Sequence, residues 1–192
     1  DKPDLRNPLI IVDCTDIFEN VGLNAFKNKI VRVIATHDVA DQPRSFFEGM
    51  TNYAIDELKA KGLAWLRVLD DRSFQGPIAK FIPDDAREEL LKRTNSKEGD
   101  CLFFIAEVPG VVETLAGEVR KELGKRLNLI DENTFEFCWI IDFPMFELDD
   151  RGKIAFSHNP FSMAQGGLKA LETQDPLDIL GYQHDIVCNG VE

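Results

Sequence analysis

Asp100-Cys101-Leu102-Phe103-Phe104-Ile105-Ala106, followed after a short break by Gly110 through Leu127, decides the fold. The first stretch is an apolar run of strand length behind a single acid. The second sets Val112, Leu115, Val119 and Leu123 on one side of a long amphipathic helix, because residues three and four apart share a helical face. Upstream, Pro83 and Asp84 open another helix. Its acidic first turn (Asp84, Asp85) and its basic end (Lys92, Arg93) both suit the helix dipole. Leu63–Leu69 reads as a strand. Ser45-Phe46-Phe47-Glu48 matches a capping box, and Phe47, Met50, Ala54 and Leu58 recur at helical spacing, with Gly62 as the stop. Lys29–Ala35 and residues 8–18 are β-branched apolar runs that suit buried strands. Downstream, Trp139–Phe146 returns to strand, with Pro144 marking an edge or bend.

Strands and helices therefore alternate from about residue 29 to 130, as in a self-contained unit of ordinary domain size. The flanks are strand-rich and too short to build a core alone. A compact domain inserted into a split one accounts for this pattern, with expected boundaries 1–25, 26–137 and 138–192. There are no internal repeats and no low-complexity segments.

Bulk composition narrows the class. The 192 residues are 44% hydrophobic, ordinary for a packed domain, and no apolar run approaches the length of a membrane span. The net charge of -12 does not attract a phosphate backbone, so nucleic-acid binding does not follow from composition. Cys14, Cys101, Cys138 and Cys188 form no CxxC pair and sit among apolar neighbours, which predicts reduced, buried thiols in a cytoplasmic protein. There is no signal peptide. The chain starts without Met and stops at Glu192 inside strand-like sequence, so a piece of a larger parent is expected.

Two stretches carry candidate chemistry. In Tyr182-Gln183-His184-Asp185-Ile186-Val187-Cys188-Asn189-Gly190-Val191-Glu192, Asn-Gly between β-favouring residues is a strong signal for a type I′ hairpin, whose two central residues need positive φ. A two-residue loop sets Cys188 against Val191 and Val187 against Glu192. Asp185 shares a face with Val187, so Asp185 and Glu192 become diagonal neighbours able to hold Mg²⁺. An ordinary hairpin with solvent-facing acids has the same spacing. The second stretch is Phe156-Ser157-His158-Asn159-Pro160-Phe161-Ser162-Met163, then Gln165-Gly166-Gly167. Pro160 pushes Asn159 towards extended geometry, and the glycines permit a mobile loop. His158 and Asn159 at its mouth suit a carboxylate, an amine or a phosphate; a turn with a surface histidine reads the same.

The other histidines carry less. His37 lies in a polar loop, where exposure is the default, and His184 alternates away from Asp185. The acid pairs Asp70-Asp71, Asp84-Asp85 and Asp149-Asp150 fall at turns or caps. GxGxxG after a strand, GxxxxGK[ST], HExxH and GxSxG are all missing.

Three segments, in order and spacing, resemble bacterial-type aspartyl-tRNA synthetases of class II. Trp139-Ile140-Ile141-Asp142-Phe143-Pro144-Met145-Phe146-Glu147 is similar to a stretch typical of that family. His158-Asn159-Pro160-Phe161 is similar to the loop that follows it there. Asp185 to Glu192 is similar to the strand before the third class II motif. The middle resembles the GAD insertion, shared with the B subunit of the tRNA-dependent amidotransferase. That likeness is carried by Gly62-Leu63-Ala64-Trp65, Gly76-Pro77-Ile78-Ala79-Lys80-Phe81 and Gly99-Asp100-Cys101-Leu102-Phe103-Phe104.

The resemblance implies an α+β fold: a GAD-type inserted domain plus antiparallel strands from a split catalytic domain. It implies a ligase that activates aspartate with ATP and Mg²⁺ and transfers it to tRNA, working as a homodimer away from membranes. His158 and Asn159 would contact aspartate or its adenylate, Glu192 would contact ATP, and Asp185 with Glu192 would hold the metal. None is expected to be a catalytic nucleophile. Asn159 stands where many members have His, so it hydrogen-bonds without carrying charge. The motif 2 arginine, the aspartate-selecting lysine and the motif 3 arginine have no counterpart here. The excised chain is therefore expected to be inactive. A non-catalytic GAD-type module binding tRNA or a partner, or a piece of the amidotransferase subunit, are the alternatives; neither is expected to carry the flanking segments.

Overall fold

The computed structural model describes residues 2–19, 21–157 and 159–191. Contacts divide the chain into two compact units, Asn7–Ile130 and Asp1–Arg6 with Asp131–Glu192.

The larger unit is built on a five-stranded sheet. Its strands are β1 (Ile11–Asp13), β2 (Ile30–Thr36), β3 (Ala64–Val68), β4 (Phe74–Gln75) and β5 (Cys101–Glu107), in the order β1-β2-β5-β3-β4. Each of the paired neighbours is antiparallel. The alternation of strands and helices seen in the sequence thus yields no parallel pair. The last strand, β5, slots between β2 and β3, pairing from Ile30↔Glu107 to Thr36↔Cys101 on one edge and from Ala64↔Phe104 to Arg67↔Cys101 on the other.

Helices cover both faces. Cys101, Phe103 and Ile105 of β5 pack with Phe47, Met50 and Ala54 of α2 (Arg44–Asp56) and with Val112, Ala116, Val119 and Leu123 of α4 (Val111–Arg126). Leu102 and Phe104 face the other way, towards Phe18 of α1 (Thr15–Phe18) and towards Ala86 and Leu90 of α3 (Asp84–Arg93). Period-two alternation sends successive side chains into two separate cores, which is why β5 is apolar from Cys101 to Ala106.

Several local expectations are corrected. Residues 8–18 hold a three-residue strand and a short helix, not one strand. The side chain of Asp13 accepts from both the Thr15 backbone N–H (2.9 Å) and its hydroxyl (2.6 Å), turning the chain out of the sheet. At α2, Pro43 is the N-cap and Ser45 lies inside the helix. Glu48 accepts from Arg44 Nε (2.7 Å), a partner one turn away that competes with the capping box. The stop is Lys59 at φ 57°, closed by Ala60 N–H to Ala54 C=O (2.9 Å), three residues before Gly62. At α4 the expected start holds: Glu113 reaches back to the Gly110 N–H (2.7 Å).

By contacts the larger unit runs from Asn7 to Ile130. Residues from Asn7 onward join the larger unit for two reasons. β1 pairs with β2, and a reciprocal polar clamp ties the chain to α4. Asn7 Nδ2 donates to the Arg120 carbonyl (2.9 Å), while Arg120 Nη2 donates to the Asn7 carbonyl (2.6 Å). Arg93 adds a second tie, donating to Glu89 on its own helix (2.8 Å) and to Asp16 of α1 (3.0 Å).

His37 is exposed, as expected, and has a buried partner. Its Nδ1 lies 2.9 Å from Asp100 Oδ2, and fully buried Asp100 also accepts from the backbone N–H groups of Asp38 (3.0 Å) and Lys97 (2.9 Å). A buried carboxylate is tolerable when donors surround it like this.

All four cysteines are free thiols; Cys14 and Cys101 are buried, Cys138 and Cys188 half-buried. Burial pushes the thiols of Cys14 and Cys101 up to about 12. At pH 8 only about one in 10⁴ of such thiols is ionised. Both should resist a disulfide-exchange reagent in the folded protein at pH 8 and react on denaturation; modification within minutes in the native state would contradict this. Because the folded state holds these protons more tightly than the unfolded one, their contribution to stability is complete below pH 9 and fades as pH rises towards 12.

Gly124 offers a second test. Alanine is better than glycine inside a helix by about 1 kcal/mol. A Cβ at Gly124, however, would stand 2.4 Å from Asn7 Nδ2, and Asn7 is 3% exposed with both ends of its carboxamide bonded. Overpacking and the loss of those bonds outweigh the propensity gain, so Gly124→Ala should destabilise by about 2 kcal/mol. The urea midpoint should fall at constant m-value; a rise would show that Asn7 moves aside freely.

Candidate functional site

The smaller unit carries the candidate residues on short strands and tight turns. β6 (Phe137–Ile140) pairs with β9 (Asp185–Cys188) in the register Phe137↔Cys188, Cys138↔Val187, Trp139↔Ile186 and Ile140↔Asp185. The anticipated strand Trp139–Phe146 is broken: Asp142 takes φ 59°, and β7 (Phe146–Leu148) starts afresh, pairing with β8 (Ile154–Phe156). A small core of Met145, Ala164 and Ile179, with Phe146 against it, sits beneath.

The Asn189-Gly190 turn forms as the dipeptide predicts. Asn189 and Gly190 have φ 51° and 80°, and Cys188 and Val191 exchange both backbone hydrogen bonds, at 2.8 and 2.9 Å. Positive φ at both central residues is the type I′ requirement that Asn-Gly satisfies at low cost. Asn189 does more than turn the chain. Its Oδ1 accepts from the Glu136 N–H (2.9 Å) and its Nδ2 donates to the Thr134 carbonyl (3.0 Å), which stitches the turn to the segment before β6. The sequence reading missed this role, although Asn preceding Gly with its side chain free to bond backbone was the available signal.

Asp185 is half-buried, on the same face as buried Val187. Gln183 Nε2 donates to its Oδ2 at 3.2 Å, orienting the carboxylate. Glu192, the second acid of the expected pair, lies outside the described residues, as does His158. Among the described residues, no three His, Cys, Asp or Glu side chains gather as a metal site. The donor at Asp185 is a carboxylate oxygen, the type that Mg²⁺ takes alongside water and phosphate oxygens. His184 is exposed and precedes the first residue of β9.

Asn159 is exposed and acts as a turn former. Its Oδ1 accepts from the Phe161 N–H (2.9 Å) and its carbonyl from the Ser162 N–H (3.1 Å), closing an Asx turn across Pro160. The carboxamide oxygen is thereby committed to the backbone, and its NH₂ is the group suited to meet a ligand carboxylate. Gly166 and Gly167, expected to loosen the loop, instead take φ 83° and 63° in a defined turn that opens α5 (Gly167–Thr173), with the Gly167 N–H bonded to the Ala164 carbonyl (2.9 Å).

Residues 22–116 match the GAD domain family. Over its whole length the chain is 56% identical to the aspartate–tRNA ligase of Streptomyces avermitilis and 53% identical to that of Streptomyces coelicolor. It is 52% identical to the aspartate–tRNA(Asp/Asn) ligase of Ehrlichia ruminantium. In each case it spans 33% of the relative's length. The chain therefore carries a GAD-type segment at its centre and is similar from end to end to about a third of each of these bacterial ligases.

Proposed function

We propose that this chain is the GAD-bearing part of an aspartate–tRNA ligase, in which residues 26–137 are inserted between two pieces of the catalytic domain. What carries the reading is identity above 50% across the entire chain, flanks included, to relatives named for that activity. The type I′ turn at Asn189-Gly190 supports it: Cys188 and Val191 bridge across the turn, and Glu192 is the next residue in the sequence. A GAD-type module acting alone, binding tRNA or a partner, is the second reading; the compactness of Asn7–Ile130, with its two cores, favours an independent structural role for that unit.

In the proposed reaction an aspartate carboxylate oxygen attacks the α-phosphorus of ATP, and pyrophosphate leaves. A ribose hydroxyl at the tRNA end then attacks the carbonyl of the mixed anhydride, and AMP leaves. His158 and the NH₂ of Asn159 hold the aspartate, so that the attacking oxygen meets phosphorus in line. Asp185, steadied by Gln183, and Glu192 supply carboxylate oxygens at the phosphate side. Mg²⁺ bound there neutralises charge that develops on the phosphates. A cytoplasmic homodimer follows from the same reading, and no helix among the described residues is long and apolar enough to cross a membrane.

In the full-length ligase, Glu192→Ala should slow ATP–pyrophosphate exchange about a hundredfold or more while leaving tRNA affinity nearly unchanged. Exchange at the wild-type rate would remove Glu192 from the site. The excised chain should show no Mg²⁺-dependent ATP binding by calorimetry at micromolar concentration; a clear binding isotherm would mean that the site is complete without the missing arginines.

A further inference from the structure

The base of the loop that carries His158 and Asn159 is clamped by one side chain that the proposed chemistry does not use. Gln165 Nε2 donates to Asp142 Oδ1 at 2.7 Å and to the Gly181 carbonyl at 3.2 Å, while the Gln165 backbone N–H donates to the Leu180 carbonyl at 2.8 Å. Three segments meet there: the exit from β6 at Asp142, the loop base at Gln165, and the run at Leu180-Gly181 that leads into β9 and Asp185. The rest of the loop is pinned close by. The Ser157 N–H bonds to the Met145 carbonyl (3.1 Å), the Tyr182 N–H to the Met163 carbonyl (2.8 Å), and Ala164 bridges Gly181. Asp142 holds φ 59°, which costs a non-glycine residue about 1 kcal/mol or more. That backbone directs an exposed carboxylate at the Gln165 NH₂, a hydrogen bond strengthened by its charge.

We infer that Gln165 is a positioning residue: through Asp142 and Gly181 it fixes the aspartate-contacting loop relative to the strand bearing Asp185. The inference rests on the ligase reading above. It deepens that reading by assigning aspartate recognition to a residue that touches no substrate. Gln165→Ala frees the loop base, so the loop must be ordered when aspartate binds. The affinity for aspartate falls, whereas ATP, held from the β9 side, is hardly affected.

The test uses the full-length ligase containing this chain, with aspartate and ATP varied separately in pyrophosphate exchange. Gln165→Ala should raise KM for aspartate about tenfold and leave KM for ATP within about twofold, with kcat nearly constant, since a hydrogen bond to a charged group is worth about that factor. Gln165→Glu, which sets two carboxylates against each other, should raise it further. The double variant Gln165→Glu with Asp142→Asn re-forms the bond with donor and acceptor exchanged, and should recover most of the aspartate affinity. Thermal midpoints should match wild type, because the bond to exposed Asp142 adds little to stability. An unchanged aspartate KM in Gln165→Ala overturns the inference. So does a parallel rise for both substrates with a lowered midpoint, which is the signature of a merely structural contact. A wild-type enzyme without aspartate-dependent exchange overturns instead the ligase reading itself.

Discussion

Burial of one strand on both faces governs the larger unit. β5 alternates Cys101, Phe103 and Ile105 into one core and Leu102 and Phe104 into the other, so neither helix layer can pack without it. Because it also pairs along both edges, β5 fixes the register of β2 and β3 at once. The polar fittings follow from that placement. Asp100, at the strand's entrance, is fully buried and takes its donors from residues 37, 38 and 97, which the sheet has brought together. Arg120 and Asn7 then fasten the first strand's approach to the helix after β5.

The smaller unit obeys a different constraint. Its strands are three or four residues long and its core small, so local geometry rests on turns and side-chain-to-backbone bonds. Asn159, Asn189 and Gln165 each tie the backbone at a point where chain direction changes. On the face of β6 and β9 opposite Asp185 and Val187, Phe137 and Trp139 are 59% and 64% exposed. Two strands cannot cover both of their own faces.

Much of this was legible along the chain because the signals are local. The run Cys101–Ala106, the helix after Gly110, the helix opened by Pro83 and Asp84, and the Asn189-Gly190 turn all depend on neighbours within a few residues. The failures arose where a local signal had a competitor. Glu48 fitted a capping box but lies one turn from Arg44. Asp13 ended a run that propensity alone would have extended through Phe18. Of the candidate site, the turn and the face assigned to Asp185 were readable; the Asx role of Asn159 was available in Asn-Pro but went unread.

By itself, the sequence determined the central strand at 101–106, the helices that follow Pro83 and Gly110, where the chain reverses at residues 189–190, and the likeness to bacterial aspartyl-tRNA synthetases, since periodicity, turn chemistry and identity are properties of order along the chain. Only the tertiary structure decided that β5 lies between β2 and β3, that β1 pairs with β2, that His37 meets a buried acid, and that Gln165 reaches both Asp142 and Gly181. Those contacts join residues far apart in the chain. Their partners are selected by how layers pack and which donors are left unpaired there, and no short window of sequence records that choice.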